Sequence, residues 1–232
     1  MLSLQKKKHG LAALILIGAI LPCAGQVPPA RGQIAQYRNM FAAALMNDVA
    51  QVKALTANGE KVDGRDGYQR TPLHVAAYFA KHDAMRALVA AGADANALEN
   101  DGYDIVTIAA VANDMPTLKL ALELGCKSTN ITSRYDGTAL IAAAHLGHAD
   151  VVQTLIKAGA PLDHVNNLHW TALIESIVLG NGGPQHTLTL KYLVEAGASS
   201  KLTDRSGATP LALAKARGYR EMVAILEQAG AR

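Results

Sequence analysis

Short apolar stripes recur along most of the chain at helical spacing. Val151, Val152, Leu155 and Ile156 form one, and Met222, Val223, Ile225 and Leu226 form another. Residues three or four apart share a helix face, so each stripe predicts a short amphipathic helix with one buried side. The run from Asp48 to Leu55 keeps the same pattern. Ahead of the stripes lie segments carrying the pairs Ala76-Ala77, Ala109-Ala110 and Ala143-Ala144, small enough to let consecutive helices approach closely. Thr71, Thr138, Thr171 and Thr209 open these segments, with Asp104 in the corresponding place. A Thr or Asp there predicts an N-cap, and Pro72 or Pro210 just after it forfeits no intrahelical bond.

The stripes end at Gly59, Gly92, Gly125, Gly159, Gly197 and Gly230, with gaps of 33, 33, 34, 38 and 33 residues. Glycine suits the left-handed conformation that closes a helix. Polar runs such as 96–102 and 203–207 then read as β-turn fingers that join one pair of helices to the next. A period this regular means one supersecondary unit stacked repeatedly. Such units bury a core only against their neighbours, so the expected shape is an elongated array with a long exposed surface. Binding suits that shape better than reaction chemistry.

Counting back 21 residues from a closing glycine reaches Thr71-Pro72-Leu73-His74, Thr138-Ala139-Leu140-Ile141 and Thr209-Pro210-Leu211-Ala212. Asp104-Ile105-Val106-Thr107 and Thr171-Ala172-Leu173-Ile174 open the remaining inner units. With the alanine pairs that follow, this pattern resembles the ankyrin repeat. The resemblance spans about residues 37–232 and implies an all-α solenoid of about six helix-turn-helix units with short β-turn fingers. Their approximate bounds are 37–66, 67–100, 101–134, 135–167, 168–204 and 205–232. The first unit has Arg38-Asn39-Met40-Phe41 in place of the threonine motif, and the last carries Arg217, Arg220, Glu221, Glu227 and Gln228. Terminal units face water on one side, so atypical sequence there is expected of caps.

The N-terminus stands apart. Lys6, Lys7 and Lys8 precede an apolar run from Leu11 to Leu21, then Pro22 and the small residues Cys23, Ala24 and Gly25. This order predicts a signal peptide over 1–25, and a flexible lead-in over 26–36. The run falls short of the roughly 20 apolar residues of a membrane span. An uncleaved interfacial helix is the other reading, while Pro22 argues against a lipoprotein site at Cys23. The expected location is the periplasm or another secreted compartment, without a stable membrane anchor after cleavage.

Charge changes with that cut. The whole chain has 22 Lys+Arg against 19 Asp+Glu, and removing three lysines and no acid leaves 19 against 19. Nucleic-acid binding then loses its warrant, because phosphate affinity needs concentrated positive charge. Cys126 would remain alone, at a place where other units have Ala, and reads as a small buried residue rather than a redox group. The histidines make no H-E-x-x-H pair, no phosphate loop or nucleophile elbow occurs, and no metal or cofactor is expected. His74 sits where ankyrin units usually hold a structural histidine. Asn130-Ile131-Thr132 matches a glycosylation sequon, which chance explains outside a eukaryotic host.

Family resemblance implies that the residue before each threonine, and the two after each alanine pair, face the concave surface. From these positions the candidate partner-binding set is Tyr37, Arg70, Tyr78, Phe79, Tyr103, His145, Leu146, Trp170, Val178 and Leu179. Five of the ten aromatics fall on this strip. Exposed aromatics and aliphatics with arginine nearby make a binding hot spot; alternatively, the same side chains tuck beneath the fingers into the core. The five extra residues of unit five, within Gly180–Thr187, should lengthen the connection between its helices, as a functional lip or a tolerated insertion. The expected protein is a monomeric, non-enzymatic scaffold for a protein partner. The alternatives are an inhibitor or immunity protein restraining a secreted enzyme, or an accessory factor in stress protection.

Overall fold

A computed structural model describes residues 27–231, so the signal expected over 1–25 lies outside the described residues. Among them, twelve of thirteen helices form six pairs. A single turn, α1 (Arg31–Ile34), precedes α2 (Asn39–Leu45) and α3 (Val49–Ala57). The next pairs are α4 (Pro72–Tyr78) with α5 (His82–Ala90), and α6 (Ile105–Val111) with α7 (Met115–Glu123). Then come α8 (Ala139–Leu146) with α9 (Ala149–Lys157), α10 (Ala172–Val178) with α11 (Pro184–Glu195), and α12 (Pro210–Arg217) with α13 (Arg220–Gln228). No helix among the described residues is long and apolar enough to cross a membrane.

Local chemistry sets both ends of these helices. The side chains of Thr71, Asp104, Thr138, Thr171 and Thr209 each accept from the backbone N–H three residues on. That satisfies one of the donors a helix start leaves free. At the other end, the residue after each closing glycine donates back into the helix: Glu60 to Leu55, Ala93 to Leu88, Cys126 to Ala121, Ala160 to Leu155, Ala198 to Leu193 and Ala231 to Leu226, at 2.9–3.1 Å. These are Schellman closures, and they require a positive φ at the glycine, observed between +80° and +94°.

First helices pack in an unbroken series α2, α4, α6, α8, α10, α12, and second helices stack beside them. Fully buried Leu88, Leu118, Leu155, Leu193 and Leu226 fill the space between the two rows. Each such leucine contributes about 2 kcal/mol by leaving water. Ala44, Ala110 and Ala144 are wholly buried where the first helices meet.

Two regions differ from the sequence reading. The lead-in expected to be flexible contains α1 and is docked: Val27 and Gln33 accept from the guanidinium of Arg70 at 3.2 and 3.0 Å. The insertion of unit five is folded into the stack. It gives α11 twelve residues against the nine of α9, and its glycine bend lies against Tyr219 of the next unit. The Tyr219 hydroxyl donates to the Gly180 carbonyl at 2.9 Å, and the His186 ring reaches the His145 carbonyl at 2.9 Å. A Cβ at Gly182 would stand 2.4 Å from the Tyr219 ring, which explains the glycine there.

Candidate functional site

The fingers are built from one repeated device. Asp66, Glu99, Asn166 and Asp204 each stand five residues before a capping Thr or Asp, and their side chains accept backbone N–H groups two and four residues on. A short acceptor that binds its own turn in this way fixes the turn without help from the core. Backbone bonds then tie finger to finger: Asn100 to Tyr68, Ser133 to Gly102 and Asn167 to Tyr135, at 2.8–2.9 Å. Main-chain bonds therefore tie the first four fingers together, and the Arg205 side chain ties the last one by donating to the Asn167 carbonyl at 2.8 Å.

The residues considered for chemistry are engaged in the fold. His74 is buried, and Thr71 donates its backbone N–H to Nδ1 at 3.2 Å. That leaves the ring proton on Nε2, which donates to the Tyr103 carbonyl of the next unit at 3.2 Å. Burial pushes its imidazolium pKa down to about 4. Burial also pushes the Cys126 thiol up to about 12, away from thiolate chemistry. Both amide hydrogens of Asn130 are taken, by Asn96 Oδ1 at 3.0 Å and Asp104 Oδ2 at 2.9 Å, so the sequon side chain is occupied.

The ten strip residues divide. Arg70, Tyr103 and Tyr37 are buried, which corrects the exposed alternative for these three positions. Arg70 is 1% exposed. It bonds Asp66 through Nε at 2.9 Å as well as the lead-in, and its guanidinium carbon lies 4.7 Å from the centre of the Tyr68 ring. Tyr37 donates to the same Asp66 carboxylate at 2.8 Å and stacks on Phe41. Burial pushes the Asp66 carboxyl up, but its bonds from Tyr37, Arg70 and Tyr68 and the Arg70 charge overcome this and hold it below the usual carboxylate range. Tyr78 is half-buried and packs against the core. Phe79, His145, Leu146, Trp170, Val178 and Leu179 stay partly exposed, Leu146 by 39%, and lie outside the buried cluster.

Sequence reasoning missed one group on this face. Glu175, on α10, occupies the place where other units have Val75, Ile108, Ala142 and Leu213, and it is only 3% exposed. Its Oε1 accepts from Asn166 Nδ2 at 3.0 Å. Its Oε2 is buried without a hydrogen bond and faces His145 Nδ1 at 3.4 Å. An acid among apolar equivalents was the available signal. Its partners come from two other elements, so no local motif announces the group.

Comparison with known proteins points to the same architecture. The family described as Ankyrin repeats (3 copies) matches residues 39–135 and 108–199. The chain is similar to the ankyrin repeat protein YahD of Escherichia coli (strain K12), 32% identical over 190 residues, covering 82% of this chain and 94% of that protein. Among solved structures, an ankyrin repeat domain from Acinetobacter baumannii AYE is 40% identical with a TM-score of 0.77, covering 83% of this chain and 98% of that one. The ankyrin repeat domain of Bcl-3 is 25% identical with a TM-score of 0.75, covering 85% and 88%.

Proposed function

This chain belongs to the ankyrin repeat family, and from that premise we propose that it is a non-enzymatic scaffold in an exported compartment, binding a protein partner through its concave face. Ankyrin repeat proteins generally mediate protein–protein interactions. The observation that carries the reading for this chain is the set Phe79, Leu146, Val178 and Leu179 at the C-terminal ends of the first helices, with Trp170 before a capping threonine, all partly exposed and outside the core. Large apolar side chains left on one face mark partner sites. The backbone ladder between fingers supports the same reading, because a face already ordered loses little conformational freedom on association. Export rests on the charged and apolar order of residues 6–25 alone.

Capture from an extract with the immobilised chain tests it. The double variant Phe79→Ala/Leu146→Ala, which leaves the core-packed Tyr78 intact, should reduce partner recovery by about tenfold, the scale of one modest hot spot. Its melting temperature should move by only about 2 °C. Undiminished recovery would overturn the assignment of this face.

A further inference from the structure

A buried carboxylate oxygen without a hydrogen bond needs a reason. Leaving one acceptor of a buried carboxylate without a donor is unfavourable, and the rest of the finger-side face shows how readily this fold supplies donors. Asp66 receives four bonds, from Tyr37, Tyr68 and twice from Arg70. Asp104 receives the Thr107 backbone N–H and the Asn130 amide. Among the described residues, the buried side-chain atoms without a hydrogen bond are Glu175 Oε2 and Thr189 Oγ1, and the first of these is the charged one.

The surroundings of Glu175 Oε2 decide what would satisfy it. On one side Asn166 holds the other carboxylate oxygen, and the Oδ1 of the same Asn166 accepts the backbone N–H of Trp170. The carboxylate is thereby tied to the finger that carries the chain's single tryptophan. On the other side stands the His145 side chain, 23% exposed, with its Nδ1 3.4 Å from Oε2. Its backbone is pinned from behind, where its carbonyl accepts from His186.

We infer that this is a recognition pocket for a cationic side chain, an arginine guanidinium or lysine ammonium, presented by the protein partner. Glu175 Oε2 is the acceptor, Asn166 positions the carboxylate, and His145 is the neighbour that gives way. A cation supplies the missing donor and a fixed opposite charge together, and such charge-assisted bonds are about twice as strong as neutral ones. The inference rests on the concave-face reading above and adds the chemistry of one contact.

The probe is an acetylated, amidated tripeptide with a central arginine, compared with the same peptide carrying neutral, isosteric citrulline. Binding is followed by the Trp170 emission and by the Asn166 side-chain amide resonance. The arginine peptide should shift both signals saturably, and the citrulline peptide should bind about tenfold more weakly. Glu175→Gln keeps the acceptor for Asn166 and should abolish the preference for arginine, while His145→Ala should tighten arginine binding by removing that neighbour. Equal response to the two peptides, or an unchanged preference in Glu175→Gln, would overturn the pocket. Partner capture separates the two readings: if Glu175→Gln recovers partner normally while Phe79→Ala/Leu146→Ala does not, the pocket fails and the concave face stands. If neither variant loses partner, the face itself is wrong.

Discussion

Arg70 in unit two and Glu175 in unit five are both buried charges beside the fingers, 1% and 3% exposed. Arg70 is saturated: its guanidinium bonds Asp66, Val27 and Gln33 and faces the Tyr68 ring. Glu175 has one oxygen bonded and one without a hydrogen bond, 3.4 Å from His145 Nδ1. A desolvated charge with every donor used strengthens the fold only while all its partners remain, whereas one left partly unpaired weakens the fold and keeps its capacity for something outside it. The comparison separates a structural clamp, which closes the N-terminal end of the stack, from a group whose chemistry is unfinished.

The largest effect should come from breaking the clamp. Arg70→Ala leaves the Asp66 carboxylate buried and frees the lead-in, and should lower the unfolding free energy in urea by about 4 kcal/mol. Arg70→Lys should recover little of this, because an ammonium cannot hold three directions in the plane of a guanidinium fork. A loss below about 1 kcal/mol for Arg70→Ala would put the two charges in one class and end the contrast.

Acid should discriminate the same two units next. Three residues after the capping threonine, unit two has His74 and unit five has Ile174. Burial depresses the folded pKa of His74 to about 4, against about 6.5 unfolded, so the unfolded chain binds the proton first. The contribution of neutral His74 is complete above pH 6.5 and is lost as the pH falls to about 4, amounting to about 3 kcal/mol. Asp66, held low, weakens the fold only at still lower pH as its carboxylate is protonated. His74→Ile should flatten the stability profile between pH 6.5 and 4 in denaturant titrations, whatever it costs at neutral pH. An unchanged slope would mean that another group carries the acid sensitivity.

Much of the repeat framework was open to sequence reasoning, and little of either the clamp or the pocket. Helix starts, glycine closures and fingers follow from contacts within a dozen residues, so Thr71, Pro72, Gly92 and their equivalents announce them. The fate of a strip residue depends on what a neighbouring segment lays over it. Arg70 and Trp170 hold the same place before a threonine, yet the lead-in covers Arg70 while Trp170 stays partly exposed. The insertion was expected to lengthen a loop because five residues carry no mark of what they pack on. Tyr219, from the next unit, is what fills the space above Gly182. Glu175 could be noticed as an acid at an apolar position, but its relation to Asn166 and His145 is a product of the stack.

The smallest effect sharpens the comparison most, because its sign differs. Glu175→Gln retains an oxygen for the Asn166 amide and replaces the oxygen without a hydrogen bond by an uncharged NH2 facing His145. Removing a half-paired buried charge while keeping volume and the one existing bond is expected to be neutral or stabilising, by about 1 kcal/mol. Thermal unfolding at neutral pH should thus show a midpoint equal to or slightly above that of the unaltered chain, opposite in direction to Arg70→Ala. The expectation follows from the hydrogen-bond pattern alone and needs no partner. A midpoint that falls as far as the one for Arg70→Ala would make Glu175 a second clamp, with its second oxygen served by His145 in solution, and nothing left to offer a cation.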